Sequence, residues 1–94
     1  MTAWGQEAYQ TPFEKAAAMA ESIVRNHPFN DANHRTALAA VHLTLGLHGL
    51  RLAALPDAQK APIRELGAGT LTLEAFAKWL EQNSALRTPP TGFP

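Results

Sequence analysis

Nine consecutive residues, His27-Pro28-Phe29-Asn30-Asp31-Ala32-Asn33-His34-Arg35, put an imidazole, a carboxylate, carboxamides and a guanidinium into one short stretch. Phosphoryl or nucleotidyl transfer asks for such groups: a proton acceptor, a magnesium ligand and a cradle for phosphates. His27 is the group before the loop able to take a proton near neutral pH. Asp31 would repel a phosphate unless a cation lies between them, and magnesium shares oxygen ligands in that way. Ala32 has almost no side chain, so a phosphate can approach the backbone there. Arg35 offers a two-pronged contact to phosphate oxygens. Phe29 alternates with the polar residues and is expected to pin the loop to the core. Each residue also has a plain use: a loop Asp caps a helix, a His packs, an Arg is a solvated charge. Their coincidence in nine positions is what favours a site.

These groups need elements to hold them. Thr11-Pro12-Phe13-Glu14 reads as a helix start with a capping box and proline at the first position. Apolar residues then recur at Phe13, Ala16, Ala17, Ala20, Ile23 and Val24, one face of a helix from Pro12 to Arg25. Pro28 blocks simple continuation, so 26–32 is expected to be loop. A second helix is expected from near Asn33 to His48, stopped by Gly49. Its first turn would offer unpaired N–H groups and the positive end of a dipole to an anion. Ala37, Leu38, Ala40, Val41, Leu43, Leu45 and Leu47 make it apolar on several sides, as the central helix of a bundle would be. Leu50 to Pro56 reads as a partly extended connector. Asp57 is expected to cap a third helix to Leu66, with Ile63 and Leu66 inward, ended by Gly67-Ala68-Gly69. Thr72 caps a fourth to about Asn83, with Leu73, Phe76, Ala77 and Leu80 on one face. No repeat and no strand with clean alternation is evident. The fold class expected is all-α, a small helical bundle with a central helix.

Composition narrows the classes. The 94 residues fit one domain, with a proline-rich tail over 88–94. No cysteine is present, so no disulfide or thiolate metal site is available. Eight Lys and Arg balance eight Asp and Glu, which gives no general electrostatic case for nucleic acid or an anionic membrane. No apolar run approaches the roughly 20 residues of a membrane span. The start lacks a signal-peptide pattern, so a soluble cytoplasmic protein is expected. His42 and His48 lie six residues apart, which does not place them on one helix face for a metal. Trp79 is expected in the core.

The stretch from His27 through Arg35 to Thr36-Ala37-Leu38 closely resembles the signature of the Fic/Doc (Fido) superfamily, and its Doc, death-on-curing, branch more than its Fic branch. Tyr9 to Ala17, Ser22 to Asn26, the glycine after the second helix and Trp79-Leu80 extend the resemblance over 9–80. The resemblance implies a Fido-like core over 1–87, N-terminally short, in which His27 is the general base on a target hydroxyl. Asp31 would hold magnesium, and Ala32, Asn33, His34 and Arg35 would hold phosphates. Fic relatives transfer AMP from ATP to protein hydroxyls, and Doc relatives transfer the terminal phosphate. The implied activity is that of a toxin-like protein Ser/Thr phosphotransferase with ATP as donor and magnesium as cofactor. Its protein substrate would be of the translation-factor kind, and a Phd-like antitoxin would neutralise it.

Three departures from the family pattern shape these expectations. Leu38 stands where the AMP-transferring branch has a second arginine, which argues against AMP transfer. His34 stands where Doc relatives have lysine and Fic relatives glycine. If His34 acts as a cation when phosphate is bound, ATP binding should weaken from roughly pH 6 to 8. Ten residues precede Thr11, where these relatives carry a substantial segment with a flap that aligns the target. The expectation is that apolar surface on the first two helices is left for a homo-oligomer or an antitoxin to cover. Two alternatives stand beside phosphotransfer: an idle remnant that binds nucleotide or a partner protein, and AMP transfer despite Leu38.

Overall fold

The computed structural model describes residues 11–25 and 30–87. Its elements run α1 (Pro12–Val24), α2 (Asp31–Leu47), β1 (Leu50–Leu52), α3 (Pro56–Ala68), α4 (Leu73–Gln82) and β2 (Ser84–Leu86). The fold is mostly helical, as expected, with one small sheet added. Residues 1–10, 26–29 and 88–94 lie outside the described residues, so the readings made for them, Phe29's pinning included, stay expectations.

Helix α1 starts as its sequence dictates. Thr11 Oγ1 accepts from the Glu14 N–H at 3.0 Å, and Glu14 Oε1 accepts from the Thr11 N–H at 3.2 Å. Small residues Ala16, Ala17 and Ala20 are fully buried with Val24, which lets the α1 backbone lie close to its neighbours. Helix α2, expected to be the central helix, packs against α1, α3 and β1, whereas α1 packs against all three other helices and is the hub of the bundle, its small buried alanines allowing the close approach. Ala37, Val41 and Leu45 are its fully buried apolar residues, one turn or so apart. Leu43 and Leu47, read as part of an all-round apolar helix, are instead 65% and 77% exposed. The core is completed by Leu52, Ile63, Leu66, Phe76, Ala77 and Leu80. Trp79 is half-buried at the margin and stacks on Phe76, with ring centroids 6.1 Å apart.

Three boundaries differ from expectation. Helix α2 begins at Asp31 rather than near Asn33, because Asn30 outcompetes Asp31 as the cap. Helix α3 begins at Pro56, with Leu55 at the cap position and no side-chain cap bond; Asp57 sits inside the first turn, where it meets the helix dipole instead. That helix continues through Gly67 and stops at Gly69, which adopts φ +83°. Thr70 N–H donates to Glu65 O (3.0 Å) and Gly69 N–H to Leu66 O (3.2 Å), the paired bonds of a left-handed helix ending. The connector after α2 is a true strand: β1 pairs antiparallel with β2, with Leu50 opposite Leu86 and Leu52 opposite Ser84. This two-stranded ribbon ties the end of α4 back to the end of α2.

Candidate functional site

The site is built at the head of α2. Asn30 Oδ1 accepts from the Ala32 N–H at 2.8 Å and from the Asn33 N–H at 3.2 Å. One carboxamide therefore holds two of the amides that the first turn leaves unpaired. Asn33 turns its own side chain inward, and its Nδ2 donates to Ile23 O at 3.3 Å. This bond joins the end of α1 to the start of α2.

Asp31, His34 and Arg35 come together. Their spacing of three and four residues puts them on one face of α2, and all three line a single cleft of about 240 Å³. Ala32 and Asn33 do not line it; their amides belong to the Asn30 cap. An anion bound through those amides would share or displace Asn30 Oδ1. His27 lies outside the described residues, so its place relative to the cleft rests on sequence alone.

The far wall comes from α3. Lys60, Ile63 and Arg64 face the α2 residues, and Leu38 with Ile63 makes the apolar part of the lining. Lys60 and Arg64 were not candidates in the sequence. Their spacing of four puts them on one face with Ile63, yet only the packing of α3 against α2 reveals that this face meets the motif. Lys60 Nζ lies 4.0 Å from Asp57 Oδ1, a contact exposed at both ends. Among the described residues no ion pair engages Arg35, Arg64 or Asp31.

The other histidines serve structure. His42 Nε2 lies 2.9 Å from the buried Gln59 Oε1, and Gln59 Nε2 donates to Ala54 O at 2.7 Å. His48 Nδ1 lies 3.0 Å from Thr44 O. Among the described residues no group of three His, Cys, Asp or Glu could hold a metal ion, and no described helix is long and apolar enough to cross a membrane.

Comparison with known proteins agrees with the motif. Residues 1–45 match the model described as Fic/DOC family. The chain is 43% identical over 60 residues to the protein named Toxin Doc from Mycolicibacterium smegmatis (strain ATCC 700084 / mc(2)155), a stretch covering 64% of this chain and 46% of that protein. The chain thus spans about half the length of the curated relative it matches. No solved structure matches. The match over 1–45 takes in α1 and most of α2, with every residue of the nine-residue motif, so this part of the chain is similar to the Fic/DOC family.

Proposed function

We propose that this chain acts as a Doc-like transferase, moving the terminal phosphate of ATP to a Ser or Thr hydroxyl of a protein. The observation that carries this reading is the convergence of Asp31, His34 and Arg35 on one cleft at the head of α2, inside the stretch that matches the family model. His27 takes the hydroxyl proton as the hydroxyl oxygen attacks the terminal phosphorus. The bond from that phosphorus to the bridging oxygen breaks, and ADP leaves. Arg35 holds phosphate oxygens with its planar fork and His34 adds a donor, while the first-turn amides of Ala32 and Asn33 add two more where the phosphate displaces Asn30 Oδ1 from them. Asn33 also ties the start of α2 to the end of α1 through Ile23 O.

Magnesium fits the residues present. It is commonly bound by one or two carboxylates with substrate phosphates and waters rather than by a protein cage. Asp31 is one exposed carboxylate with no ion pair among the described residues. When bound there, the ion would neutralise charge on the phosphates.

The test is parallel incubation of candidate protein acceptors, translation factors among them, with ATP labelled at the terminal or the alpha phosphate. Terminal label should appear on the acceptor and fall about 10²–10⁴-fold in His27→Ala, the usual range for losing a general base. Equal transfer by the two proteins would remove His27 from its role. Alpha label on the acceptor would assign AMP transfer instead.

A second reading is favoured by Leu43 and Leu47, large apolar side chains exposed on the helix that carries the site. A Phd-like antitoxin or a second copy of the chain would bury them. Under that reading the protein binds nucleotide or partner without turnover. Nucleotide binding with no label transfer to any acceptor would favour it.

A further inference from the structure

The cleft holds more positive charge than the motif supplies. The whole chain is neutral, with eight basic and eight acidic residues. Three of the eight basic residues, Arg35, Lys60 and Arg64, nevertheless line this one cleft, against the single carboxylate of Asp31. They come from two helices, so this is not one solvated helix face. Lys60 and Arg64 stand one turn apart, and like charges at that spacing oppose each other. Neither arginine has an ion pair among the described residues, and the Lys60–Asp57 contact is long and exposed, so it offsets little. An anion between the helices turns that repulsion into attraction.

Size narrows the anion. About 240 Å³ is below the roughly 300–1,000 Å³ of sites that enclose a drug-sized molecule. The cleft suits linked phosphates rather than a whole nucleotide. We propose that Lys60 and Arg64 of α3 form, with Arg35, a clamp for a polyphosphate chain, extending the motif's phosphate site across the α2–α3 cleft. This rests on the reading of Arg35 as a phosphate ligand. The chain is that of a nucleoside triphosphate or a free inorganic polyphosphate.

Titration calorimetry at low salt tests it, with ATP, inorganic tripolyphosphate and AMP as probes. The proteins are wild type, Lys60→Gln/Arg64→Gln, Arg35→Gln, and a control pair, Lys15→Gln/Arg51→Gln, which changes net charge equally away from the cleft. All four substituted cations of the two pairs are exposed, and circular dichroism checks folding. The double α3 variant should lose at least tenfold in affinity for ATP and tripolyphosphate, and the control pair should lose little. AMP, with one phosphate, should change least. Stronger binding of ATP than of tripolyphosphate identifies the nucleotide as the ligand, and equal binding identifies bare polyphosphate. Wild-type affinity in the α3 variant, or an equal loss in the control pair, overturns the clamp. If Arg35→Gln alone loses ATP, the clamp falls and the motif reading stands. If only the α3 variant loses binding, the anion cleft stands without the motif arginine.

Discussion

At the residue scale, two asparagines divide the work at the head of α2. Asn30 satisfies two first-turn amides, and Asn33 ties α2 to the end of α1. Replacing Asn30 with alanine should cost about 1 kcal/mol, the usual loss for an N-cap. Urea unfolding would show it as a lower midpoint at unchanged slope. An unchanged midpoint would mean that Asp31 or water takes over the cap. The α1 capping box was legible because its partners lie within four residues. The choice between Asn30 and Asp31 was not, because both are good caps and residue type alone does not decide between neighbours. The shared face of Asp31, His34 and Arg35 was legible for a similar local reason: spacing of three and four puts them together wherever the helix begins nearby.

At the scale of elements, the α2–α3 contact depends on a buried carboxamide. Gln59 is 6% exposed and bonds both to His42 across the contact and to Ala54 O below it. Gln59→Leu should cost about 1–3 kcal/mol, because the Ala54 carbonyl loses its side-chain donor. Thermal unfolding would report it, and a neutral result would show that water replaces the amide. If α3 shifts, the Lys60 and Arg64 wall of the cleft shifts with it. No local pattern in the sequence announced this wall, since it exists only through long-range packing. The ribbon of β1 and β2 escaped for a different reason. Strands of three residues are too short to display alternation, and the partners of Leu50 to Leu52 lie some thirty residues later. The end of α3 was misplaced because Gly67 and Gly69 look alike in sequence, while only the second adopts the left-handed conformation.

At the scale of the whole molecule, a modest core holds both walls of the site. Phe76 is its largest fully buried side chain and joins α4 to the rest. Phe76→Ala should cost about 3–5 kcal/mol, a large share of the roughly 5–15 kcal/mol typical of a domain. Denaturant unfolding would show a large fall in midpoint, and a change near zero would mean that α4 contributes little to the core. The mostly helical character was legible from periodicity and caps. The exposure of Leu43 and Leu47 was not, because hydrophobicity does not say which side of a helix has a neighbour.

The central claim is that the head of α2 receives the phosphates of ATP with magnesium. Calorimetric titration of magnesium-ATP into wild type and Arg35→Gln tests it most directly. The account predicts measurable binding by wild type and a loss of about 10- to 150-fold in the variant, the equivalent of a charge-assisted bond of roughly 1.5–3 kcal/mol. Equal affinity in the two proteins, or no heat of binding from the folded wild type, would contradict it.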